Sequence, residues 1–350
     1  MEKNHLVIMA GGIGSRFWPM STPDCPKQFI DITGCGKSMI RQTIERFGSL
    51  VLPQNIWVVT SKNYKDIIAE QIPEIPHSNI LLEPCMRNTA PCIAYVCTKI
   101  AKKNKDANII VTPSDHIVAN ETEFQRIISK GLDFVSKEKR ILTLGMYATR
   151  PETGYGYIQG EISGKDHDGI MPVVAFKEKP NVETAKSYCE QGNYYWNSGL
   201  FIWRADTVIE ALREFTPDIM DLFEEIGQSY YTDTEQTVID EKFPLCRSIS
   251  IDYAVMEKAK NIYVLPAEFG WSDLGTWGSL HTLLDSDNNR NSVIGDSVRM
   301  IESDNCMVHL PSGKKAVLHG LNGFIVAENN GVLMICKMEE EQRIKEFSTL

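Results

Sequence analysis

A glycine-rich loop near the N-terminus is followed by two cations, and this order of residues could hold a polyphosphate. An apolar stretch from His5 to Met9 predicts a short strand, after which come Ala10, Gly11, Gly12, Ile13, Gly14 and Ser15. Glycine permits a left-handed backbone, and successive N–H groups on such a turn form an anion-binding concavity. Arg16 could bind phosphate oxygens as a bidentate fork, and Lys27 could act as a point charge.

The loop matches neither of the common phosphate-binding motifs. A P-loop requires G-x-x-x-x-G-K-[ST], and no Lys-Ser or Lys-Thr pair follows these glycines directly. The dinucleotide fingerprint requires a third glycine, but Gly12-Ile13-Gly14-Ser15-Arg16 continues into Phe17. These mismatches disfavour a P-loop kinase and a dehydrogenase. A strand-to-helix turn with solvated charges is the structural alternative.

Alternating strands and helices are expected to position this loop and the loops that follow it. Strands are predicted over 55–60, 79–83, 107–112 and 140–145, and helices over 38–47, 62–71, 88–103 and 121–136. This alternation predicts βαβ units, an α/β fold and a mixed, mainly parallel sheet flanked by helices. Ligands of such sheets bind outside the carboxyl ends of the strands, so each strand should deliver its following loop to one site.

Two of those loops carry polar residues. Glu83 ends one strand, and Asn88, Thr89 and Pro91 open the next helix, where free N–H groups and polar side chains could contact a base edge. Simple helix capping is the alternative. Asp115 follows the 107–112 strand, which is a typical place for a Mg²⁺ ligand, although a solvated turn would also place an Asp there.

Shorter β segments with turns and aromatic residues begin at Pro151. Tyr155 and Gly156 would bring bare backbone close to a ligand. Glu178 and Lys179 place a carboxylate beside a cation. A sugar phosphate needs this combination, because the carboxylate can accept from hydroxyl groups and the cation can bind the phosphate. An exposed charged turn is the structural alternative. In the Tyr195–Gly199 segment an aromatic ring precedes an amide, although a buried tryptophan is more often part of a core.

At this point the sequence resembles a known family. Met9-Ala-Gly-Gly-x-Gly-x-Arg16-Phe-Trp-Pro-x-Ser21, followed by Pro26-Lys27-Gln28-Phe29, resembles the signature of the sugar-phosphate nucleotidylyltransferases. The Phe-Trp-Pro and Pro-Lys-Gln-Phe details are similar to the mannose-1-phosphate guanylyltransferases. The segments EPxxRNTAP, FxEKP, WNSG, SIDYAVME and GWSDxGTW resemble that family in content and order.

The resemblance implies a Rossmann-like, GT-A-like nucleotidyltransferase fold and a reaction. GTP and α-D-mannose 1-phosphate would give GDP-mannose and pyrophosphate, with Mg²⁺ or another divalent cation held by Asp115 and Asp273. The implied catalytic residues are Arg16, Lys27, Asp115 and Lys179. The implied nucleotide-binding residues are Ala10, Gly11, Gly12, Gly14, Ser15, Arg16, Glu83, Asn88, Thr89, Pro91, Ser114 and Asp115. The implied sugar-phosphate-binding residues are Tyr155, Gly156, Glu178, Lys179, Asn197, Ser198 and Asp252.

Two other functions stay open beside this one. A nucleotidylyltransferase for another sugar or base, such as glucose with UTP or dTTP, would share the loop, the first Asp and the EKP motif. A non-catalytic regulator that binds GDP-mannose would be expected to have lost Arg16, Lys27 or a metal carboxylate, whereas this chain keeps them all.

The C-terminal part of the chain differs in pattern from the rest. Short β runs between Gly and Asn turns follow residue 291, and a charged helix is predicted over 339–347. We therefore expect a catalytic domain over 1–287 and a small β appendage over 288–350, with a β-helix fragment as one form. Many bacterial relatives continue into a second, cupin-like isomerase domain. The given sequence stops before such a domain, so we expect the resemblance to extend to the transferase activity alone.

Composition limits the partners and the compartment. The 350-residue chain has a net charge of −10, which argues against nucleic-acid and anionic-membrane surfaces as partners. No signal peptide and no 18-residue apolar run is found. Nine scattered cysteines without a C-x-x-C pair suit free thiols in a reducing cytoplasm. The oligomeric state stays open, and an exposed β tail could pair two subunits into a homodimer.

Overall fold

The computed structural model of the chain describes residues 2–348, which divide into two units. The first unit contains Gly11 and the residues before it, together with Arg46–Pro113 and Val118–Trp271. The second unit contains Gly12–Glu45, Ser114–Ile117 and the residues from Ser272 onward. This division follows contacts and differs from the expected domain boundary at residues 287 and 288, which stays a prediction.

Strands and helices alternate through most of the first unit, and short strands dominate the end of the chain. The strands are β1 (Asn4–Ala10), β2 (Ile56–Ser61), β3 (Ile80–Glu83), β4 (Asn108–Pro113), β5 (Ile117–Val118), β6 (Ile141–Tyr147), β7 (Tyr157–Gly160), β8 (Met171–Lys177), β9 (Tyr194–Arg204), β10 (Ile262–Ala267), β11 (Trp271–Ser272), β12 (Ser292–Ile294), β13 (Ser297–Ile301), β14 (Met307–His309), β15 (Lys315–His319), β16 (Phe324–Asn329) and β17 (Val332–Lys337). The α-helices are α1 (Met39–Glu45), α2 (Lys65–Gln71), α3 (Thr89–Lys103), α4 (Glu121–Lys137), α5 (Val182–Gln191), α6 (Ala205–Phe215), α7 (Pro217–Ile226), α8 (Glu235–Lys242), α9 (Trp277–Leu283) and α10 (Ile344–Phe347).

Nine strands of the first unit form one mixed sheet in the order β3-β2-β1-β4-β9-β6-β10-β8-β7. Seven of them run in one direction, and β8 and β9 run the other way. The mixed, mainly parallel sheet predicted from the sequence is therefore confirmed. Because β1, β3 and β4 share a direction, their carboxyl ends, Ala10, Glu83 and Pro113, lie at the same edge of this sheet.

The central strands are apolar because they are covered on both faces. In β1, Leu6, Val7 and Ile8 are fully buried, as parallel strands between helical layers require. The helix α3 packs beside them and begins where the sequence predicted. Asn88 caps it by accepting a hydrogen bond from the Thr89 N–H at 2.8 Å, and Pro91 occupies its first turn, where an N–H has no helical partner.

The C-terminal strands of the second unit confirm the predicted β appendage. β12, β14 and β16 pair in parallel, β17 adds antiparallel to β16, and β13 pairs with β15 in a separate parallel sheet. Alternate strands thus join alternate sheets, which is the pattern of a β-helix coil. An apolar cluster of this unit includes Phe17, Trp277 and Ile325, all nearly inaccessible to solvent.

Two further segments form helices that are not regular α-helices along their whole length. The segment after Ser250 forms a π-helix over Asp252–Met256, a form frequent at functional sites. The charged segment at the end is a 3₁₀-helix over Met338–Arg343 followed by α10, with ion pairs from Arg343 to Glu340 and Glu346. Within residues 2–348, no helix combines the length and the apolarity that crossing a membrane requires.

Candidate active site

The glycine loop of the second unit depends on Gly14. Its backbone is left-handed, with φ 68° and ψ 38°, and a Cβ atom there would lie 2.5 Å from the Cβ of Lys27. Both observations require glycine at this position, since other residues pay for a left-handed backbone and no side chain fits at 2.5 Å. The sequence-based expectation of a tight loop is explained by this one residue.

The carbonyl groups of the loop are held by the residues that follow it. Gly12 O accepts from Gln28 Nε2 at 2.9 Å, Ile13 O from the Lys27 N–H at 3.2 Å, and Gly14 O from Ser21 Oγ at 2.6 Å. Within the described residues, no N–H group of residues 12–16 donates a hydrogen bond. The loop therefore keeps its donors available, as an anion-binding turn must.

Arg16 follows this loop in a short 3₁₀-helix, Ser15–Phe17. Its side chain is half-buried, and among residues 2–348 it has no hydrogen-bond or ion-pair partner. A guanidinium group that is partly desolvated and unpaired attracts a phosphate strongly, because it can donate two parallel hydrogen bonds to it.

Lys27 lies in an interior position rather than at the surface. It is 3 % exposed, and its Nζ lies 2.9 Å from Asp115 Oδ2, 3.0 Å from the Asp273 carbonyl oxygen and 2.7 Å from the Leu274 carbonyl oxygen. An ammonium group has three donors, and three acceptors surround it here. These three partners occupy the three donors of Lys27 in the structure, and the phosphate contact expected from the sequence stays a prediction.

Asp115 and Asp273 are the two carboxylates expected to hold a divalent cation. The Asp115 side chain is 34 % exposed. Burial raises its pKa, but the Lys27 ammonium group, His116 and hydrogen bonds outweigh this effect, and the net pKa lies below its usual value. The Asp273 carboxylate lies against Gly275, where a Cβ atom would come within 3.1 Å of Oδ2. Gly275 therefore leaves room for that carboxylate.

This donor set fits Mg²⁺ bound together with a nucleotide. Across residues 2–348, no group of three or more His, Cys, Asp or Glu side chains could enclose a metal ion. Mg²⁺ is usually held by one or two carboxylates, with phosphate oxygens and water completing the shell. Asp115 Oδ2 and the Asp273 carbonyl oxygen bond to the same nitrogen, so these two atoms lie at most about 6 Å apart, the sum of the two distances.

In the first unit, Glu83 and Gly11 lie together at the carboxyl edge of the sheet. Glu83 is 8 % exposed, its Oε1 is buried without a hydrogen-bond partner, and a Cβ atom on Gly11 would lie 4.0 Å from its Oε2. Burial raises the pKa of Glu83 to about 8, against a hydrogen bond with Cys92 that lowers it. A buried acceptor without a donor is rare and is expected where a ligand supplies the donor.

The other predicted nucleotide-binding residues of the first unit have structural partners. Ala10 accepts a hydrogen bond from Thr60 Oγ1 at 2.8 Å through its carbonyl group, and Thr89 Oγ1 accepts one from the Ile251 N–H at 2.8 Å. Pro91 is buried in α3. Asn88 is exposed and uses Oδ1 for its helix cap, which leaves its amide N–H₂ as its donor group toward a ligand.

A second cluster of the first unit gathers four predicted sugar-phosphate residues. Asn197 Nδ2 donates to Asp252 Oδ1 at 2.8 Å, and the Asn197 N–H donates to the Gly156 carbonyl oxygen at 2.8 Å. A Cβ atom on Gly156 would lie 2.7 Å from Glu178 Oε2. Burial, followed by the nearby Glu178 charge, raises the pKa of Asp252 to about 6. Two carboxylates and an amide can bind neighbouring sugar hydroxyl groups.

Lys179 and Tyr155 border this cluster. The exposed Lys179 ammonium group lies 3.0 Å from Glu178, and its backbone is left-handed with φ 39°. A left-handed backbone is uncommon for a non-glycine residue, and the known cases cluster at ligand-binding and active sites. The Tyr155 ring packs edge-on against Trp196 and Trp271, with centroids 5.3 and 5.4 Å away.

Two predicted site residues, Ser198 and Ser114, are buried. Ser198 is buried and donates its hydroxyl to the Leu144 carbonyl oxygen at 2.8 Å, because successive residues of β9 point to opposite faces. Ser114 is also buried, and its carbonyl accepts from Thr43 Oγ1 at 3.2 Å. A structural role thus explains the hydroxyl contact of Ser198 and the carbonyl contact of Ser114.

Sequence reasoning missed three residues that shape these clusters. Cys92 contacts Glu83 from one helical turn into α3, Gly275 accommodates the Asp273 carboxylate, and Leu274 directs its carbonyl group at Lys27 from a left-handed backbone with φ 46°. Gly275 could have been found from the sequence, because the D-x-G spacing of Asp273-Leu274-Gly275 places a glycine two residues after the carboxylate. The other two depend on packing that residue types alone do not indicate.

Comparison with known proteins agrees with this chemistry. A family model described as nucleotidyl transferase matches residues 5–290. A mannose-1-phosphate guanylyltransferase of Salmonella montevideo is 40 % identical over 348 residues, which cover 97 % of this chain and 72 % of that protein. The alginate biosynthesis protein AlgA of Pseudomonas putida is 38 % identical over 345 residues, covering 97 % of this chain and 70 % of that protein.

A solved structure shows the same fold over the full length. The crystal structure titled mannose-1-phosphate geranyltransferase, from Thermus thermophilus, has a TM-score of 0.88 and 28 % identity, covering 99 % of this chain and 98 % of the other. The family match spans the glycine loop, both clusters of the first unit and both predicted metal carboxylates. The chain is a member of the nucleotidyl transferase family.

Proposed function

We propose that this protein transfers GMP from GTP to α-D-mannose 1-phosphate and releases GDP-mannose and pyrophosphate. The observation that carries the proposal is the loop of residues 12–16, whose carbonyl groups are held internally while its N–H groups have no partner among the described residues. Such a loop binds polyphosphate. The mannose-1-phosphate guanylyltransferases among the relatives support the choice of both substrates.

The chemistry is a displacement at phosphorus. A phosphate oxygen of the sugar phosphate attacks the α-phosphorus of GTP, a new P–O bond forms, and the α–β phosphoanhydride bond breaks as pyrophosphate leaves. The attacking phosphate has a second pKa near ~6 and is largely dianionic at neutral pH, so no general base is required. Catalysis then rests on positioning and on stabilising charge.

Each proposed role follows from the surroundings of one group. The loop N–H groups and Arg16 bind the triphosphate and the leaving pyrophosphate. Lys179 neutralises the sugar phosphate, while Glu178, Asn197 and Asp252 bind sugar hydroxyl groups. Asp115 and Asp273 hold Mg²⁺, which when bound offsets the negative charge of the phosphates.

We assign base selection to Glu83. The Watson–Crick edge of guanine presents two donors, N1–H and N2–H₂, and an ionised carboxylate accepts from both. Adenine presents an acceptor at N1, which would face the carboxylate unfavourably. Glu83 has the required properties, because one of its oxygens is buried without a donor and the other faces the bare backbone of Gly11.

A matrix of substrates tests the function. Pyrophosphate release is measured with Mg²⁺ for four nucleoside triphosphates against mannose, glucose and galactose 1-phosphates. The proposal requires a maximum at GTP with mannose 1-phosphate. A maximum elsewhere would favour a transferase for another sugar or base. GDP-mannose binding without turnover would favour a regulator, although Arg16, Asp115 and Asp273 are all retained here.

We also propose a homodimer formed through β17. This strand is at the edge of its sheet, and Leu333 and Ile335 are more than half exposed on it. An exposed apolar edge strand readily pairs with another chain. Sedimentation should give a dimer mass, and Leu333→Lys with Ile335→Lys should give a monomer whose circular dichroism shows that it is still folded. A monomer before substitution would refute the assignment.

A cytoplasmic location completes the proposal. All nine cysteines are free thiols, as expected in a reducing compartment. Fractionation of cells producing the tagged protein should place it with cytoplasmic markers. Recovery in an oxidising compartment would contradict this location.

A further inference from the structure

Lys27 makes an unusual set of contacts for a lysine. Its ammonium group is interior and lies within hydrogen-bond distance of three oxygens, namely Asp115 Oδ2 and the carbonyl oxygens of Asp273 and Leu274. Asp273 and Leu274 are 246 and 247 positions away along the chain. One nitrogen thus joins the two segments that carry the expected metal carboxylates.

The contact with Asp115 fixes only one of its oxygens. Lys27 lies 2.9 Å from Oδ2, while the side chain as a whole keeps about a third of its surface exposed. Carboxylates that bind metals are commonly oriented by such a second partner, which leaves the remaining lone pairs for the metal.

The contact with the Asp273 segment fixes its backbone. Two consecutive carbonyl groups turn toward the same nitrogen, and Leu274 adopts a left-handed backbone with φ 46° to allow it. A left-handed leucine is strained and persists only where its surroundings hold it. Here the fully buried Leu274 side chain and the Lys27 ammonium group hold the turn from which the Asp273 carboxylate projects.

We propose that Lys27 is a positioning residue, whose ammonium group holds the Asp115 carboxylate and the Asp273 main chain in the arrangement that receives a divalent cation. This inference rests on the metal role assigned above to Asp115 and Asp273. It gives Lys27 a task beside the predicted contact with phosphate, and it explains why a lysine is interior at this place.

The metal affinity of a Lys27→Met variant distinguishes a positioning role of Lys27 from a purely electrostatic one, because the two roles predict opposite changes. If Lys27 acted on the cation only through its charge, removing it would tighten metal binding, because one nearby positive charge would be lost. If it positions the carboxylates, removing it should weaken metal binding. Substitution of a partner of a metal ligand typically weakens affinity by roughly 10–100-fold.

The test measures Mn²⁺ affinity by electron paramagnetic resonance, with a GTP analogue that carries an α,β-methylene bridge and cannot be cleaved. Ser303→Ala is the matched control, since Ser303 is also interior and its hydroxyl contacts three backbone groups of the second unit, those of Ile301, Leu318 and Leu321. Asp115→Asn reports on the metal assignment itself. Circular dichroism establishes that each variant is folded before titration.

We expect Lys27→Met to weaken Mn²⁺ binding about 10-fold or more, with Ser303→Ala unchanged. Unchanged or tighter binding in Lys27→Met, with weaker binding in Asp115→Asn, would overturn the positioning role and leave the metal site intact. Unchanged binding in Asp115→Asn would overturn the metal site and this inference with it. If Lys27→Met does not fold, Lys27→Gln, which keeps two donors and no charge, is held to the same criterion.

Discussion

Asn197 donates a hydrogen bond from Nδ2 to Asp252 Oδ1 at 2.8 Å, and the acid that receives it has a pKa raised to about 6. Burial is the main cause and the Glu178 charge the second, while Asn197 lowers the pKa again. With a pKa of about 6, Asp252 changes its protonation state close to neutral pH, whereas an ordinary aspartate does so near pH 3.8.

The Asp252→Asn variant should be stabilised relative to the parent protein at neutral pH. The pKa of Asp252 is about 6 when folded and 3.8 in its ordinary state, so folding favours the protonated form. Its contribution to stability is present below pH 3.8 and is lost as the pH rises through 6. The gain in Tm for Asp252→Asn should therefore be larger at neutral pH than in acid. A gain independent of pH, or equal to that of the exposed control Asp133→Asn, would contradict this.

GTP affinity should rise with pH through about 8 because Glu83 must ionise to accept two guanine donors. With a pKa of about 8, roughly a tenth of the free protein is ionised at pH 7, so affinity should increase by about tenfold between pH 7 and 9. The pKa of the adjacent Cys92 thiol is raised well above 9, so Cys92 stays neutral across this range. Isothermal titration with GTP measures the effect.

The Glu83→Gln variant is the control for that pH dependence. It should bind GTP more weakly and with an affinity that no longer changes with pH across the same range. A pH dependence that survives in Glu83→Gln would assign the titrating group elsewhere. An unchanged preference for GTP over ATP in this variant would remove Glu83 from base selection.

Removal of the Arg16 guanidinium group should mainly affect turnover. Arg16→Ala is expected to lower kcat by roughly 10²-fold or more, the loss typical of one donor to a developing charge. Arg126→Ala is the control, because Arg126 is exposed and its one ion-pair partner among residues 2–348 is Glu123 on the surface of α4. Steady-state pyrophosphate release decides, and near-normal turnover in Arg16→Ala would exclude Arg16 from the mechanism.

The loop should tolerate no side chain at Gly14. A Cβ atom there meets Lys27 at 2.5 Å, whereas Gly320 has a similar left-handed backbone, φ 73°, with nothing within 4 Å. Both alanine variants incur the cost of a left-handed backbone, roughly 1–2 kcal/mol. Only Gly14→Ala should also lose GTP binding, measured by calorimetry. Equal GTP affinity in the two variants would show that the close approach is unimportant.

Local sequence signals predicted most of the fold. Asn88 and Pro91 indicate the start of α3, and Gly14 indicates the tight turn, because capping and left-handed turns depend on residues close in the chain. The direction of β9 was not predictable in this way, since antiparallel insertion between β4 and β6 depends on pairings far along the chain.

The candidate site was predictable in its residue types and less so in its contacts. The carboxylates, glycines and cations were identified by motif and spacing. The partners of Lys27 were not, because no local pattern reports that two carbonyl groups some 246 positions away will face its ammonium group. The interior place of Ser198 follows from the alternation of β9, which fixes side-chain direction only once the face of the neighbouring Asn197 is known.

The central claim is nucleotidyl transfer to a sugar phosphate, and labelled GTP tests it most directly. The protein is incubated with mannose 1-phosphate, Mg²⁺ and GTP that carries radioactive phosphorus at either the α or the γ position. We expect the α label to appear in GDP-mannose and the γ label in pyrophosphate. Transfer of the γ label to a sugar product, or no α label in a nucleotide sugar, would contradict the account.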